Sequence, residues 1–356
     1  MKKLYFVGLF MLFIICGCGK VTEKNVVKEF SDKVAKSQSY TIIGKMQIFS
    51  NEEKFDYSLA VYYLKDNYYK VNLVNQTNNH EQVIVRNDDG VYVITPSLNK
   101  SFKFQSEWPD NSSQAYILKS IISDLKADKN LKFEKMDNGY IVSSKVNYPN
   151  NSSLTYQKVY FDKKANPIKI EVYNQNDEPI IIVTIDKLDY KANLDKKEFE
   201  IDSMINNKCC LDGEENCDNS TCEETKEKSQ NNEESSETTS IIDNIIYPMY
   251  IPEKSALTTS EKIDTDNGNR VILTFAGDKD FILVEEVAKT YDDLEIIPVY
   301  GDPQMVGGTI AALGANSLYW SNDNVDFYLA SNTLSGEEML TIASSMSSSQ
   351  TVSMSK

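Results

Sequence analysis

Histidine and arginine are almost missing from this 356-residue chain: it has one His, His80, and two Arg, Arg86 and Arg270. A His-dependent catalytic triad could be built only on His80, and a His-rich zinc site cannot be built at all. His80 sits in the polar turn Asn78-Asn79-His80-Glu81 and reads as a solvated turn residue. Positive charge is scarce overall. Lys and Arg number 37 against 53 Asp and Glu, giving a formal charge of -16 and a pI near 4.7. Such a chain does not suit nucleic acid or electrostatic docking on anionic lipid. Gly307-Gly308 lacks both the strand–turn–helix context and the Lys of a phosphate loop, and with Met305 reads as a tight turn. The adjacent acids Glu285-Glu286 and Asp292-Asp293 read as solvated faces rather than acid/base pairs. No enzyme signature and no cofactor or metal site is expected.

Long apolar runs are also rare, and the one that stands out opens the chain. Lys2 and Lys3 precede the nearly continuous apolar stretch Leu4 to Ile15. As a helix through Gly17 it would reach roughly 21 Å, short of a bilayer core of about 30 Å, so it fits a signal h-region. The run ends Ile15-Cys16-Gly17-Cys18 and resembles the bacterial lipobox, in which the signal peptidase cuts before a Cys that carries a diacylglyceryl group. The small residue needed before the cut is Gly17, which selects Cys18. Cys16 follows bulky Ile15 and fails that test. Residues 1–17 are thus expected to be a lipoprotein signal peptide. The lipid on Cys18, worth roughly 0.8 kcal/mol per buried CH2, would hold the chain on the outer face of the cytoplasmic or forespore membrane. The Lys-, Asn-, Ile- and Tyr-rich usage is that of an AT-rich genome and points to a low-GC Gram-positive source.

Lys20 to Lys36 predicts a helix, with Val26, Val27, Phe30 and Val34 at helical spacing. From Tyr40 to Tyr190 the chain alternates with period two. Tyr40-Ile42-Met46-Ile48 share one face of a first strand and Phe55-Tyr57-Leu59-Val61-Tyr63 one face of a second. Further strands are expected near 67–75, 81–87, 90–95, 100–105, 132–136, 140–148, 153–162, 167–174 and 179–190, eleven in all. A helix over 113–126, capped by Ser112 or Ser113, presents Tyr116, Ile117, Ile121 and Leu125. The two helices are the covers available to the sheet's apolar face, so the sheet is expected to curl around them and they are expected to plug most of its concavity. Between Lys208 and Ser240 there are ten Asp or Glu and three Lys, which makes 203–240 an acidic linker. A small α+β domain is expected over 241–346, with strands at Arg270–Phe275, Phe281–Val284, Ser317–Trp320 and Val325–Ala330. Its helix runs from Gly336 to Met346, with Ser335 and Glu338 as a capping box. The Ser-rich residues 347–356 read as a disordered tail.

These residues carry a resemblance. Tyr40-x-x-x-Gly44-x-Met46, Tyr68-Tyr69-Lys70-Val71, Gly90-Val91-Tyr92-Val93, Thr95-Pro96, Phe102-Lys103-Phe104 and Trp108-Pro109 occur in an order that resembles the LolA-like and RseB-like lipoprotein superfamily. Gln157-Lys158-Val159-Tyr160-Phe161-Asp162 with Pro167, and the stretch from Leu194 to Phe199, extend it over residues 20–202. With the lipobox and the genome style, the likeness is to its Gram-positive sporulation and germination branch, the GerS-like lipoproteins. The resemblance implies a mainly β fold: an eleven-stranded antiparallel half-barrel with two helices over 18–202. It also implies a non-enzymatic binding role with a protein partner, such as a cortex-modifying amidase. The alternative it implies is a carrier or sensor of lipid or acylated lipoprotein. The C-terminal domain is similar to the one that ends bacillus-type sporulation lipoproteins, on Leu318-Tyr319-Trp320, Phe327-Tyr328-Leu329 and Leu334-Ser335-x-Glu337-Glu338-Met339-Leu340.

Two groups of residues remain. Cys209, Cys210, Cys217 and Cys222 lack zinc-ribbon spacing and, outside the membrane, favour two disulfides; unpaired thiols and a metal are the alternatives. Tyr40, Tyr57, Tyr69, Tyr92, Phe102, Phe104 and Trp108 are the candidate concave-face residues. They would line a ligand site or pack on the chain's own helices. For the anchor, Cys18→Ala should leave an unprocessed precursor that takes up no labelled fatty acid. Persistent labelling would mean the lipid is elsewhere.

Overall fold

The computed structural model describes residues 21–50, 53–205, 242, 244–266, 268–322 and 324–346. Cys18, the cysteines at 209, 210, 217 and 222, and the tail after Met346 lie outside the described residues. The first helix, α1 (Glu23–Lys36), opens on a capping box in which Thr22 and Asn25 satisfy each other's backbone. Val26, Val27, Phe30 and Val34 form its buried side.

Eleven strands follow in the same half of the chain: β1 (Ser39–Ser50), β2 (Glu53–Leu64), β3 (Tyr68–Asn75), β4 (Glu81–Asn87), β5 (Gly90–Thr95), β6 (Lys100–Phe104), β7 (Lys132–Met136), β8 (Gly139–Lys145), β9 (Leu154–Asp162), β10 (Pro167–Asn174) and β11 (Pro179–Asp189). Helix α2 (Leu118–Ala127) interrupts them and a single turn, α3 (Asp202–Ile205), ends the half. The sheet is wound outward from β1, which pairs with β2 on one side and β11 on the other. The β1–β11 ladder shifts register at Ile43/Gly44, where the backbones come so close that a Cβ on Gly44 would lie 2.1 Å from the Thr184 carbonyl oxygen. A bulge of this kind bends a sheet. The result is a mainly β half-barrel.

Period two sorts the side chains. Ile42, Met46, Leu59, Val61, Val71 and Ile84 face inward onto α1 and α2, with Phe30 edge-on to Phe161 at 5.3 Å. Tyr68, Val83, Val85, Tyr92 and Ile94 face outward, where the chain after β11 returns and covers them with Phe199. Both faces are thereby apolar over β3–β5.

Helix α2 starts later than the sequence suggests, and neither Ser112 nor Ser113 caps it; its N-cap, Ile117, has no side-chain bond. Ser113 is engaged elsewhere. Its hydroxyl donates to Asp124 (2.9 Å) and accepts from the Asn147 N–H (2.7 Å). A short hydroxyl side chain takes whichever local backbone it reaches, and here that is the loop after β8.

The C-terminal half builds a second, seven-stranded antiparallel sheet from β12 (Ser255–Thr265), β13 (Gly268–Gly277), β14 (Phe281–Val287), β16 (Gly301–Val306), β17 (Thr309–Gly314), β18 (Ser317–Asn322) and β19 (Val325–Ala330), in the order β12-β13-β14-β19-β18-β17-β16. Helix α4 (Gly336–Ser344), capped by Ser335 and Glu338, buries Met339, Leu340, Ile342 and Ala343. The missing number, β15 (Glu295–Val299), is not in this sheet. It pairs parallel with β6 as the twelfth strand of the half-barrel. The chain thus leaves the second sheet after β14, runs along the first as β15, and re-enters the second at its far edge as β16.

Glu285 corrects a sequence expectation. Glu286 is partly exposed and pairs with Arg270, but Glu285 is fully buried in β14, accepting from the Ile246 N–H at 3.1 and 3.2 Å. Alternation puts adjacent acids on opposite faces, so only one of the two can be solvated. Burial pushes the Glu285 carboxyl up from 4.5 to about 7, against the Ile246 hydrogen bond. The folded state therefore holds its proton where the unfolded chain has released it. Stability falls as pH rises from about 4.5 to about 7. Glu285→Gln keeps an acceptor for Ile246 and removes the charge. It should be a few kcal/mol more stable than the native chain at pH 8, with the gain gone at pH 5, measured by urea denaturation. A variant destabilised at pH 8 would contradict this.

Candidate functional site

The site lies where the second sheet closes over the inner face of the first. At its centre is Lys100, the first residue of β6, in phase with Phe102 and Phe104 and therefore inward-facing. It is 1% exposed, with its ammonium 2.8 Å from Asp326 of β19 and donating to the Tyr319 hydroxyl of β18. The Tyr319 ring lies 4.4 Å beneath the same ammonium and 4.9 Å from the Phe102 ring. Burial and the Asp326 charge keep the Tyr319 phenol well above its ordinary range, so it stays a neutral partner. A buried ion pair is not a large net gain, but removing one partner costs about 3–5 kcal/mol because a bare charge is left behind.

The β16–β17 hairpin reaches further in. Gly307 takes φ +52 in its turn, and a Cβ on Gly308 would lie 2.8 Å from the Phe55 ring, so the tip seats only without side chains. Sequence reading of Gly307-Gly308 as a tight turn agrees with this. Just past the tip, Gln82 of β4, 5% exposed, grips the hairpin backbone. Its carbonyl accepts from the Ile310 N–H (2.6 Å) and the Thr309 hydroxyl (3.0 Å), and its amide donates to the Ile310 carbonyl (3.3 Å). Asp302, at the hairpin's base, accepts from Ser106 and from Asn111 (2.8 Å). Glu337 of α4 accepts from the Ser152 hydroxyl at 2.7 Å.

Beneath this cover a cavity of about 370 Å3 remains. Met46, Ile48, Ile84, Trp108, Tyr116 and Leu154 of the half-barrel, with Ile310 and Leu340 from above, are its buried apolar wall. Gln114, Asn150, Ser153, Gln304, Glu337, Thr341 and Ser344 contribute a polar part. Asp124 lies behind Ser113; burial raises its carboxyl to about 6, against hydrogen bonds from Ser113 and Gln157. Among the described residues no cluster of His, Cys, Asp and Glu is arranged to hold a metal ion, and no helix is long and apolar enough to cross a membrane.

The candidate aromatic residues divide. Tyr40, Tyr57, Tyr69, Phe102, Phe104 and Trp108 are all buried in the inner core. Tyr40 stacks on Tyr63 at 4.7 Å, Tyr63 meets Tyr69 at 5.1 Å, and Tyr69 meets Trp108 at 6.1 Å. Of the six only Trp108 borders the cavity. Tyr92 is on the opposite face: its neighbours Val91 and Val93 point inward, and alternation sends Tyr92 outward beside Phe199. Lys100 and Gln82 were not singled out from sequence. The signal was available, since each is a polar residue in phase with inward-facing apolar ones, Phe102 with Phe104 and Ile84.

Among solved structures, the chain is similar to the Pseudomonas aeruginosa MucA/MucB complex at 12% identity and TM-score 0.33, covering 91% of this chain and 98% of that one. It is similar to a structure of the CwlD amidase from Clostridioides difficile in complex with the GerS lipoprotein at 18% identity and TM-score 0.29, over 48% and 98%. The LolA superfamily protein NE2245 from Nitrosomonas europaea matches at 11% identity and TM-score 0.31, over 51% and 99%. These scores are too low to carry a partner or ligand across. Sequence similarity is stronger: the sporulation protein YdcC of Bacillus subtilis (strain 168) is 32% identical over 340 residues, 95% of this chain and 94% of that one. The family model of YdcC-like sporulation proteins matches residues 1–199. The chain belongs to the YdcC-like sporulation protein family.

Proposed function

We propose that the chain is a non-enzymatic binding protein of the sporulating cell's envelope. It is held by a diacylglyceryl lipid on Cys18 at the outer face of the cytoplasmic or forespore membrane, and takes a protein partner along the free edge of β12. The family and its relative's name support the sporulation setting, and Ile15-Cys16-Gly17-Cys18 supports the anchor.

One observation carries the partner. β12 is eleven residues long, ends the second sheet with β13 as its one neighbour, and is exposed along almost its whole length. Leu257 and Ile263 stand about 40% and 44% exposed on it. Long exposed edges with apolar side chains invite pairing with another chain, and strand addition is a common mode of peptide recognition. A protein partner is favoured over an open carrier groove because α1, α2 and the β16–β17 hairpin pack on the inner face. A cortex-modifying amidase is the partner class that the sequence resemblance suggests.

A photo-crosslinking residue at Thr259, in the full chain in sporulating cells, tests this. One dominant protein adduct is expected, lost in the Leu257→Lys/Ile263→Lys double variant while the chain stays folded. Adducts formed only from a probe at Glu134 on β7, or unchanged by the double variant, would place the partner elsewhere.

A further inference from the structure

A second opening lies between α1 and the turn that leads from α2 into β7. We infer that this end of the half-barrel rests on the membrane, with the four lysines around the opening meeting the phosphate groups of anionic lipid heads. The inference rests on the Cys18 anchor proposed above and adds how the anchored chain is oriented.

Two observations meet at this place. The first is the length of the tether. Four residues carry the chain from Cys18 to Thr22, the N-cap of α1. At no more than about 3.6 Å per residue, a lipid on Cys18 keeps the start of α1 within about 14 Å of the membrane surface. The second is the chemistry of that end. The crevice there, about 540 Å3, is lined by Lys24 and Lys28 of α1 and by Lys126 and Lys129 at and just beyond the end of α2, all four exposed. Its floor is apolar, from Val27 and Leu125. Three acids share the lining: Glu23, Asp32 and Asp128. Two of them are engaged. Asp128 accepts from the backbone N–H groups of Asn130 and Lys145, both at 2.8 Å, and Asp32 accepts from Lys28 at 2.7 Å. That hydrogen bond, with the charges of Lys28, Lys36 and Lys126, holds the Asp32 carboxyl below its ordinary range against desolvation. One carboxylate thus faces three ammonium groups. Lys126 also donates to the Ser31 hydroxyl at 2.6 Å, which fixes the end of α2 against α1.

The formal charge of -16 carried by the whole chain does not decide the matter. At physiological salt, exposed charges more than about 8 Å apart are largely screened. A lipid surface beside α1 therefore meets the local lysines and not the distant acids. Lysine ammonium groups are compact point charges that suit phosphate oxygens. Two acyl chains already give stable retention. The lysines therefore act on orientation: they set the α1–α2 end of the half-barrel against the membrane.

The test is lysine acetylation of the lipidated full chain in vesicles, read residue by residue by mass spectrometry. In vesicles of about three parts phosphatidylcholine to one part phosphatidylglycerol, at about 0.1 M salt, Lys24, Lys28, Lys126 and Lys129 are expected to react at least about threefold more slowly than in pure phosphatidylcholine. Lys254, exposed beside β12, should not change. The protection should vanish at about 1 M salt, where the screening length is about 3 Å. Lys24→Glu/Lys129→Glu should remove it at Lys28 and Lys126, and Lys24→Arg/Lys129→Arg should keep it, with circular dichroism as the check on folding. Equal reactivity in the two kinds of vesicle, protection that survives the Glu double variant, or the same protection from inorganic phosphate over neutral vesicles would each overturn the assignment. The mass of the N-terminal peptide reads the anchor separately. A lipidated chain without protection leaves the anchor standing and sinks the orientation; an unlipidated chain sinks both.

Discussion

The ammonium of Lys100, buried between Asp326 and the Tyr319 hydroxyl, fixes how the two sheets meet. It stands on the inner face of the half-barrel among Phe102 and Phe104, a place where an unpaired charge would not be tolerated. Its partners come from the second sheet, so the first half of the chain is incomplete in isolation: its last inner strand carries a charge that only the C-terminal half neutralises. The β15–β6 pairing acts in the same sense. An edge that would otherwise be open after β6 is extended by a strand whose neighbours in sequence belong to the other sheet. With Gln82 holding the hairpin tip, these contacts make the C-terminal half a fitted cover and not a domain on a tether.

That cover determines what the inner face can do. A half-barrel with two helices leaves part of its concavity unfilled. Here the hairpin, through Met305, Ile310 and Ala312, joins the same apolar core as α1 and α2. What is left is a bounded cavity with a neutral-to-acidic mouth instead of a long groove. Of the strands that end the two sheets, β12 is the longest and the most exposed. The β12 edge and the cavity thus occupy separate parts of the molecule.

Much of the fold was legible because alternation is a direct consequence of the pleat. Strands β1 and β2 of the half-barrel follow it, and so do β13 and β14, while β3–β5, apolar on both faces, stand out through the turns that bound them. Four strands were hidden for physical reasons. β12 is solvated on both faces, so its side chains carry no alternating signal. β15 and β16 contain Pro298 and Pro303, residues that argue against strands unless an edge is free. β17 is a short run of buried residues, several of them small, compatible with many structures. The site was harder still. Its aromatic residues were visible as a group, but whether they line a cavity or fill a core depends on what lies above them, and that comes from about 200 residues later in the chain. Lys100 and Gln82 broke the local apolar pattern, as residues with a distant partner do.

The half-barrel and its cover form one body through β15, Lys100 and Gln82, so a cut within 206–241 should leave them together. The direct measurement is to cut the chain at a protease site inserted within 206–241 and follow the product by size-exclusion chromatography and calorimetry. Two pieces that co-elute and unfold in one transition are the predicted result. Pieces that separate without denaturant, or melt in two independent transitions, would contradict it.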